Sequence, residues 1–260
     1  MTDSKIAQPA LQGLKAPPAV IAALEQLRDE LIEGAGDNLA GLSLYGGLAR
    51  GRFRPGKSDI NVAVVLRDTS AAALDRIAPA LRKAWQKHRV EPFVLRAAEL
   101  PQLADVFPTK LLDIQAQHIV LAGEDLFHGL TVSREHIRLR VEQELRNLEL
   151  RLRRRYLATA DDPASQASIL AGTVRPLALQ LGWLLQLAGK PTPPDDRSET
   201  IYRTAAESFQ LDAATLTEAL ALRFSDSAQP APSADSGLFG RFLHLVHEAA
   251  KTADRIEVAP

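Results

Sequence analysis

Tyr45-Gly-Gly-Leu-Ala-Arg-Gly-Arg-Phe-Arg-Pro-Gly-Lys-Ser-Asp-Ile-Asn61 runs without a break into Val62-Ala-Val-Val-Leu66. The first part is rich in Gly, Pro and Arg and reads as a turn. Ile60–Leu66 is β-branched and almost continuously apolar, which predicts a strand buried on both faces. Leu42–Tyr45, just upstream, reads as a shorter strand. Within the turn, Gly51–Ser58 (G-R-F-R-P-G-K-S) satisfies the phosphate-loop pattern G-x-x-x-x-G-K-[ST] letter for letter. That loop cradles phosphate with backbone N–H groups and the N-terminus of a following helix. Here a strand follows, and Pro55 removes one of the donors, so a plain basic Gly/Pro turn is the better reading of those eight residues.

Outward from this core, Val20, Ile21, Leu24, Leu27, Leu31 and Ile32 recur at helical spacing, predicting a helix over Pro17–Glu33 with prolines in its first turn and Gly34 and Gly36 at its end. A second helix is expected from about Thr69 to His88, with Leu74, Ile77, Leu81 and Trp85 on one face, then a strand at Val90–Leu95. The alternation argues for a mixed sheet covered by helices. Thr109–Leu121 reads as helix followed by an extended segment, leading to a turn at Gly123-Glu124-Asp125. From Ser133, a good N-cap with Glu135 behind it, the chain reads helical. Ile137, Val141, Leu145, Leu148 and Leu152 form one apolar stripe, and Arg138, Arg140, Arg146, Arg151 and Arg153–Arg155 lie around it. Further helices are expected over Pro163–Leu187, Glu199–Phe209, Ala213–Phe224 and Leu238–Arg255. Pro191–Asp196 reads as a turn-rich break and Ser225–Gly237 as a linker. The organisation expected is a loose leader (1–16), an α/β domain (17–130) and an all-α helical bundle (131–260), without internal repeats.

The bulk numbers narrow the function classes. The chain has 260 residues, 46% hydrophobic and 24% charged, the composition of a globular protein with material for a substantial core. Lys+Arg 31 against Asp+Glu 32 leaves a net charge of -1, so no global field points to nucleic acid or to an anionic membrane. With no cysteine, disulfides, thiolate-bound zinc and thiol catalysis are excluded. Met1–Gln12 lacks a signal-peptide layout, and the apolar stretch Pro176–Gly189 contains two glutamines and is too short to span a bilayer. A cytoplasmic protein without a membrane partner is expected.

Gly46-Gly47-Leu48-Ala49-Arg50-Gly51, a turn, then Ser58-Asp59-Ile60-Asn61 opening a strand resembles the motif of the polymerase-beta-like nucleotidyltransferase superfamily, G-[SG]-x-A-[RF]-G … [ST]-D-[IL]-D. Order, spacing and secondary structure agree over the α/β half. The segment from Asp105-Val-Phe-Pro through Leu-Leu-Asp-Ile to Gly123-Glu-Asp is similar to bacterial members with a helical C-terminal domain. The resemblance implies an α/β (α+β) nucleotidyltransferase core with a mixed sheet followed by an all-α domain. It implies a Mg2+-dependent site using a nucleoside triphosphate as co-substrate and a small-molecule or protein acceptor. Asp59, Asn61 and Glu91 would be the catalytic and metal-binding positions, with Gly46, Gly47, Arg50 and Ser58 around the nucleotide.

The chemistry explains the pattern. In-line displacement at a triphosphate uses metal ions that bridge phosphate and attacking group. Mg2+ takes one or two carboxylates plus phosphate oxygens. Acids at i and i+2 of a strand point to one face, and glycines let the backbone approach phosphate. This chain departs from the pattern twice. Asn61 stands where the second aspartate belongs, keeping an oxygen but no charge, and Gly47 stands where serine is common. Losing one preorganised electrostatic group costs about 3 kcal/mol, roughly a hundredfold in rate. Two functions are therefore expected to compete: an impaired nucleotidyltransferase, or an inactive nucleotide- or protein-binding member of the fold. Arg50 reads equally as a phosphate ligand or a solvated loop residue, and Glu91, just before Pro92, as a third acid or a surface charge. Asp113 and Glu124-Asp125 fit helix orientation as well as substrate contact. His244 and His247 read as part of a packed helix rather than a metal pair, and Arg151–Arg155 as a solvated face rather than a site for an acidic partner.

Overall fold

Ile60–Leu66 forms strand β2 with the predicted bounds, and only Asn61 in it is not fully buried. In the computed structural model, which describes residues 11, 13–56, 58–193, 195, 197–224 and 237–257, β2 lies between two neighbours. Strand β1 (Leu39–Tyr45) starts three residues earlier than the sequence suggests and pairs antiparallel with β2, and β3 (Val90–Arg96) pairs parallel with β2 on its other side. The extended segment expected before Gly123 is β4 (His118–Gly123), antiparallel to β1, so the sheet order is β3-β2-β1-β4. Pro92 is accommodated because β3 is an edge strand, where a missing N–H costs no ladder bond.

One face of the sheet carries Leu42, Leu44, Ile60, Val62, Val64 and Leu66, packed in one cluster with Leu24, Leu27 and Leu31 of α1 (Pro18–Ala35) and Ile77 of α2 (Ala71–His88). Here the sequence reading needs correction. The buried face of α2 is Ala73, Ile77, Ala80 and Ala84, while Leu74 is 36% and Trp85 49% exposed. Small residues face α1 because the two helices come very close: a Cβ on Gly34 would lie 2.9 Å from the Arg76 carbonyl oxygen. Most of the leader expected over residues 1–16 lies outside the described residues, but Leu11, Leu14 and Ala16 pack into this same cluster.

The opposite face carries Ala40, Tyr45, Ala63, Val65, Phe93 and Leu95. It is covered by Leu100 and Ala104 of α3 (Leu100–Val106), a helix the sequence pattern did not suggest, by Leu111 and Ile114 of α4 (Pro108–Ala116), and by Phe127. By its contacts the chain divides into two units, Met1–Val132 and Ser133–Pro260, and the sheet belongs to the first.

In the second unit, α5 (Arg134–Ala158) buries the predicted stripe Ile137, Val141, Leu145, Leu148 and Leu152, and also Glu149. Ser133 occupies its N-cap position but makes no side-chain cap bond. Helix α6 (Pro163–Leu187) starts at Asp162, whose carboxylate accepts from the Ser165 N–H at 3.0 Å. At 25 residues α6 is long and apolar enough to cross a membrane, contrary to the expectation drawn from its second half alone. Within this unit it buries Leu170, Val174, Leu177, Leu181, Leu184 and Leu185. Helices α7 (Ser198–Phe209), α8 (Ala213–Phe224) and α9 (Leu238–Arg255) complete the unit, with α7 one residue longer than expected. Of the linker expected over Ser225–Gly237, only Gly237 is among the described residues.

Candidate functional site

The ends of β1, β2 and β3 bring the motif together. Tyr45 pairs with Asn61, and Asn61 with Glu91. Residues opposite one another on neighbouring strands share a face, so the three form a row on the face covered by α4. Gly46 leaves β1 with φ 75, and a Cβ there would come within 2.9 Å of Asn61 Nδ2. Only glycine satisfies both demands, so Gly46 and Asn61 are in direct contact. Gly47 has open space where a Cβ would stand.

The turn closes on itself. Arg50 N–H donates to the Gly46 carbonyl at 3.2 Å, Gly51 N–H to Leu48 at 3.0 Å, and Arg52 N–H to Gly47 at 2.8 Å. The Ser58 hydroxyl accepts from Arg54 N–H at 3.1 Å while Ser58 N–H donates to the Arg54 carbonyl at 2.9 Å. Ser58, expected beside nucleotide, is thus bonded within the turn, and these N–H groups do not form a phosphate cradle. The strand that follows Asp59 confirms the rejection of the phosphate-loop reading.

Each acid at this end of the sheet has a cation near it. Asp59 Oδ1 accepts from Arg89 Nε at 2.8 Å and Nη2 at 2.7 Å. Arg89 sits between α2 and β3 with φ 55, a left-handed backbone that costs an ordinary residue about 1–2 kcal/mol. Arg50 is anchored through one nitrogen: its Nη2 donates to the Asp113 carbonyl at 3.0 Å and to Oδ1 at 2.5 Å, tying the turn to α4. Lys110, one turn before Asp113 on α4, places Nζ 3.9 Å from the centroid of the Phe93 ring and 6.0 Å from that of Tyr45. Its partial desolvation there lowers its pKa against the opposing pull of Glu91. Burial, with the charges of Asp113 and Glu91 behind it, pushes the Tyr45 phenol up to about 12.

Sequence reasoning missed Lys110 and Arg89. Neither has a local signal, because each reaches the site through a sheet or helix packing that brings distant segments together. Asp125, which the sequence fits to helix orientation and substrate contact equally, bonds His118 Nε2 at 2.9 Å, and His118 Nδ1 donates to the Ile114 carbonyl at 2.8 Å. Partial burial raises the Asp125 carboxyl, but the bonds from His118 and from the His128 and Phe127 N–H groups outweigh it and hold it below the usual carboxylate range.

A magnesium ion fits this donor set poorly. Asp59 already receives two guanidinium nitrogens on one oxygen, Asn61 carries no charge and packs its amide on Gly46, and Lys110 lies in the field of Glu91. Among the described residues no three His, Asp or Glu side chains are grouped so as to hold a metal ion. The arrangement is one of carboxylates compensated by protein cations.

In the second unit, His247 Nδ1 lies 3.0 Å from Glu149 Oε1, so this histidine is engaged in helix packing, as its apolar neighbours suggested. Much of the arginine on α5 is paired along the helix, Arg138 with Glu135 and Glu142, and Arg140 with Glu144. Arg151, Arg154 and Arg155 are exposed.

No protein-family model matches the sequence, and no curated protein does. Among solved structures the chain is similar to the crystal structure of spectinomycin adenyltransferase AAD(9) from Enterococcus faecialis with ATP and spectinomycin. The identity is 14%, the TM-score 0.50, and the match covers 88% of this chain and 98% of that one. At that identity the likeness concerns the fold. The chain has the nucleotidyltransferase fold, a mixed four-stranded sheet with helices followed by a helical C-terminal part.

Proposed function

We propose that the first unit binds a nucleoside triphosphate at the ends of β1, β2 and β3, in the place where a nucleotidyltransferase holds one, and that its transfer chemistry is weak. The observation that carries this reading is the contact of Gly46 with Asn61 next to Glu91: the motif positions lie together at the strand ends, with an uncharged amide at position 61. The structural neighbour, solved with ATP and spectinomycin, supports a triphosphate and a small-molecule acceptor as the ligand classes. The chain's net charge of -1 gives no support for nucleic acid as the acceptor.

Glu91 favours a second reading, residual transfer of a nucleoside monophosphate. As a general base, Glu91 would take the proton of an acceptor hydroxyl. The hydroxyl oxygen would then bond to the α-phosphorus while the bond to the pyrophosphate oxygen breaks and pyrophosphate leaves. Lacking the second carboxylate, this step is expected to run roughly a hundredfold below a site with both.

Calorimetric titration of the full chain with ATP, paired with a pyrophosphate-release assay over a panel of small hydroxylated acceptors, tests both readings. Binding without release supports the first, and slow acceptor-dependent release that Glu91→Gln abolishes supports the second. No heat with ATP or with any other common nucleoside triphosphate would remove both.

A further inference from the structure

The charges at the strand ends are arranged for an anion rather than for a metal ion. Arg50 is held by one nitrogen, Nη2, on Asp113. Guanidinium has five N–H donors, and among the described residues Nε and Nη1 carry no bond, so they can meet a phosphate from a side chain already fixed in place. Lys110 lies over Phe93 with its ammonium among aromatic rings, and no carboxylate among the described residues lies within ion-pair distance of it. The carboxylate that would first attract a divalent ion, Asp59, is instead covered by Arg89, a residue held in a left-handed backbone.

We infer that this site binds the phosphates of its nucleotide without a divalent metal, through the ammonium of Lys110 and the free guanidinium edge of Arg50. The inference rests on the nucleotide reading above and specifies how the site carries it out. Mg2+ bridges triphosphate oxygens because carboxylates alone repel them. Here two side-chain cations stand on the same end of the sheet as Asn61. Asn61 removes the negative charge that would otherwise oppose an incoming phosphate, and Arg89 masks that of Asp59. The loss of the second aspartate and the placement of Lys110 then serve one end: phosphate is attracted by the protein itself.

The test is ATP affinity of the full chain in excess EDTA and in excess Mg2+, for the wild type and for Lys110→Gln, Lys110→Arg and Asn61→Asp, with thermal melts to show that each variant is folded. We expect wild-type affinity to agree within about twofold between the two conditions. Lys110→Gln is expected to lose about tenfold in EDTA and Lys110→Arg to keep most of the affinity, the loss corresponding to one charge-assisted contact. Asn61→Asp should weaken binding in EDTA and make it metal-dependent. Wild-type binding that needs Mg2+, by about tenfold or more, overturns the inference and leaves the nucleotide reading standing. Metal-free binding that a folded Lys110→Gln protein retains in full overturns the assignment to Lys110. Failure to bind ATP or another nucleoside triphosphate in either condition overturns the nucleotide reading and the inference with it.

Discussion

Two carboxylates, one in each unit, show how burial decides what an ion pair is for. Glu149 on α5 is 4% exposed and is met by Arg153 and Arg146 on its own helix and by His247 on α9. Asp59, at the mouth of the sheet, is 41% exposed and, among the described residues, is met by Arg89. A buried charge cannot be left without its partners, since water is not there to replace them. A solvated pair contributes about 0–1 kcal/mol and exchanges readily. The Glu149 cluster therefore belongs to the stability of the helical unit, whereas the Asp59–Arg89 pair stays open to solvent at the strand ends.

The largest effect that separates the two regions is expected on removing the cations of Glu149. Arg146→Met combined with Arg153→Met should cost about 3 kcal/mol in urea unfolding, the scale for a buried charge stripped of compensation. A loss under about 1 kcal/mol, the scale of a surface pair, would mean that water reaches this carboxylate and would erase the distinction. Arg50→Met comes next. Cutting the tie between turn and α4 should destabilise by about 1.5 kcal/mol, the lower end for bonds to a charged group, and should also lower ATP affinity. Loss of stability with affinity unchanged would make Arg50 purely structural. Arg89→Gly should change stability by no more than about 0.5 kcal/mol, because relief of the left-handed backbone offsets the lost surface pair. The same substitution should let Mg2+ bind at Asp59, measurable as heat on titrating MgCl2 into the variant and not into the wild type.

The helices and strands that proved legible are those whose own side chains dictate their packing. β2 announces itself by β-branched continuity, and the stripe on α5 by its spacing. α2 was misread for a physical reason. Its larger apolar residues, Leu74 and Trp85, look like a core face, yet the close approach of α1 selects alanine on the buried side. The site divides in the same way. Gly46, Asn61 and Glu91 were readable because strand periodicity places them, and register then aligns them. Arg89 and Lys110 were not, because a guanidinium beside Asp59 or an ammonium over Phe93 is a product of tertiary packing. The tie of Arg50 was not readable either, since its partner Asp113 is 63 residues away.

The smallest expected effects concern pH. The Asp125 carboxyl is held below the ordinary carboxylate range in the folded chain. Its contribution is thus complete above the ordinary carboxylate range and is lost as pH falls through the lower folded value. Acid unfolding of His118→Phe, which lacks the principal bond, should begin at higher pH than that of the wild type, and coincident acid limbs would contradict this. Tyr45 runs the other way. Its phenol moves from 10.0 to about 12, so the stabilisation is full below pH 10 and is lost between 10 and 12. The phenolate absorbance that disappears in Tyr45→Phe should titrate near the upper limit, and Glu91→Gln should move it down slightly.

The contact between Gly46 and Asn61 has a consequence for how this site changes over generations. Asparagine and aspartate have nearly the same shape, so the glycine that accommodates the amide accommodates a carboxylate equally well. Position 61 is therefore a switch in charge without a change in volume, reversible by one substitution and needing no second change in the scaffold. Position 46 has no such freedom. Any side chain there displaces residue 61 whichever of the two it is, so the permissible histories of the pair run through asparagine and aspartate and always past glycine.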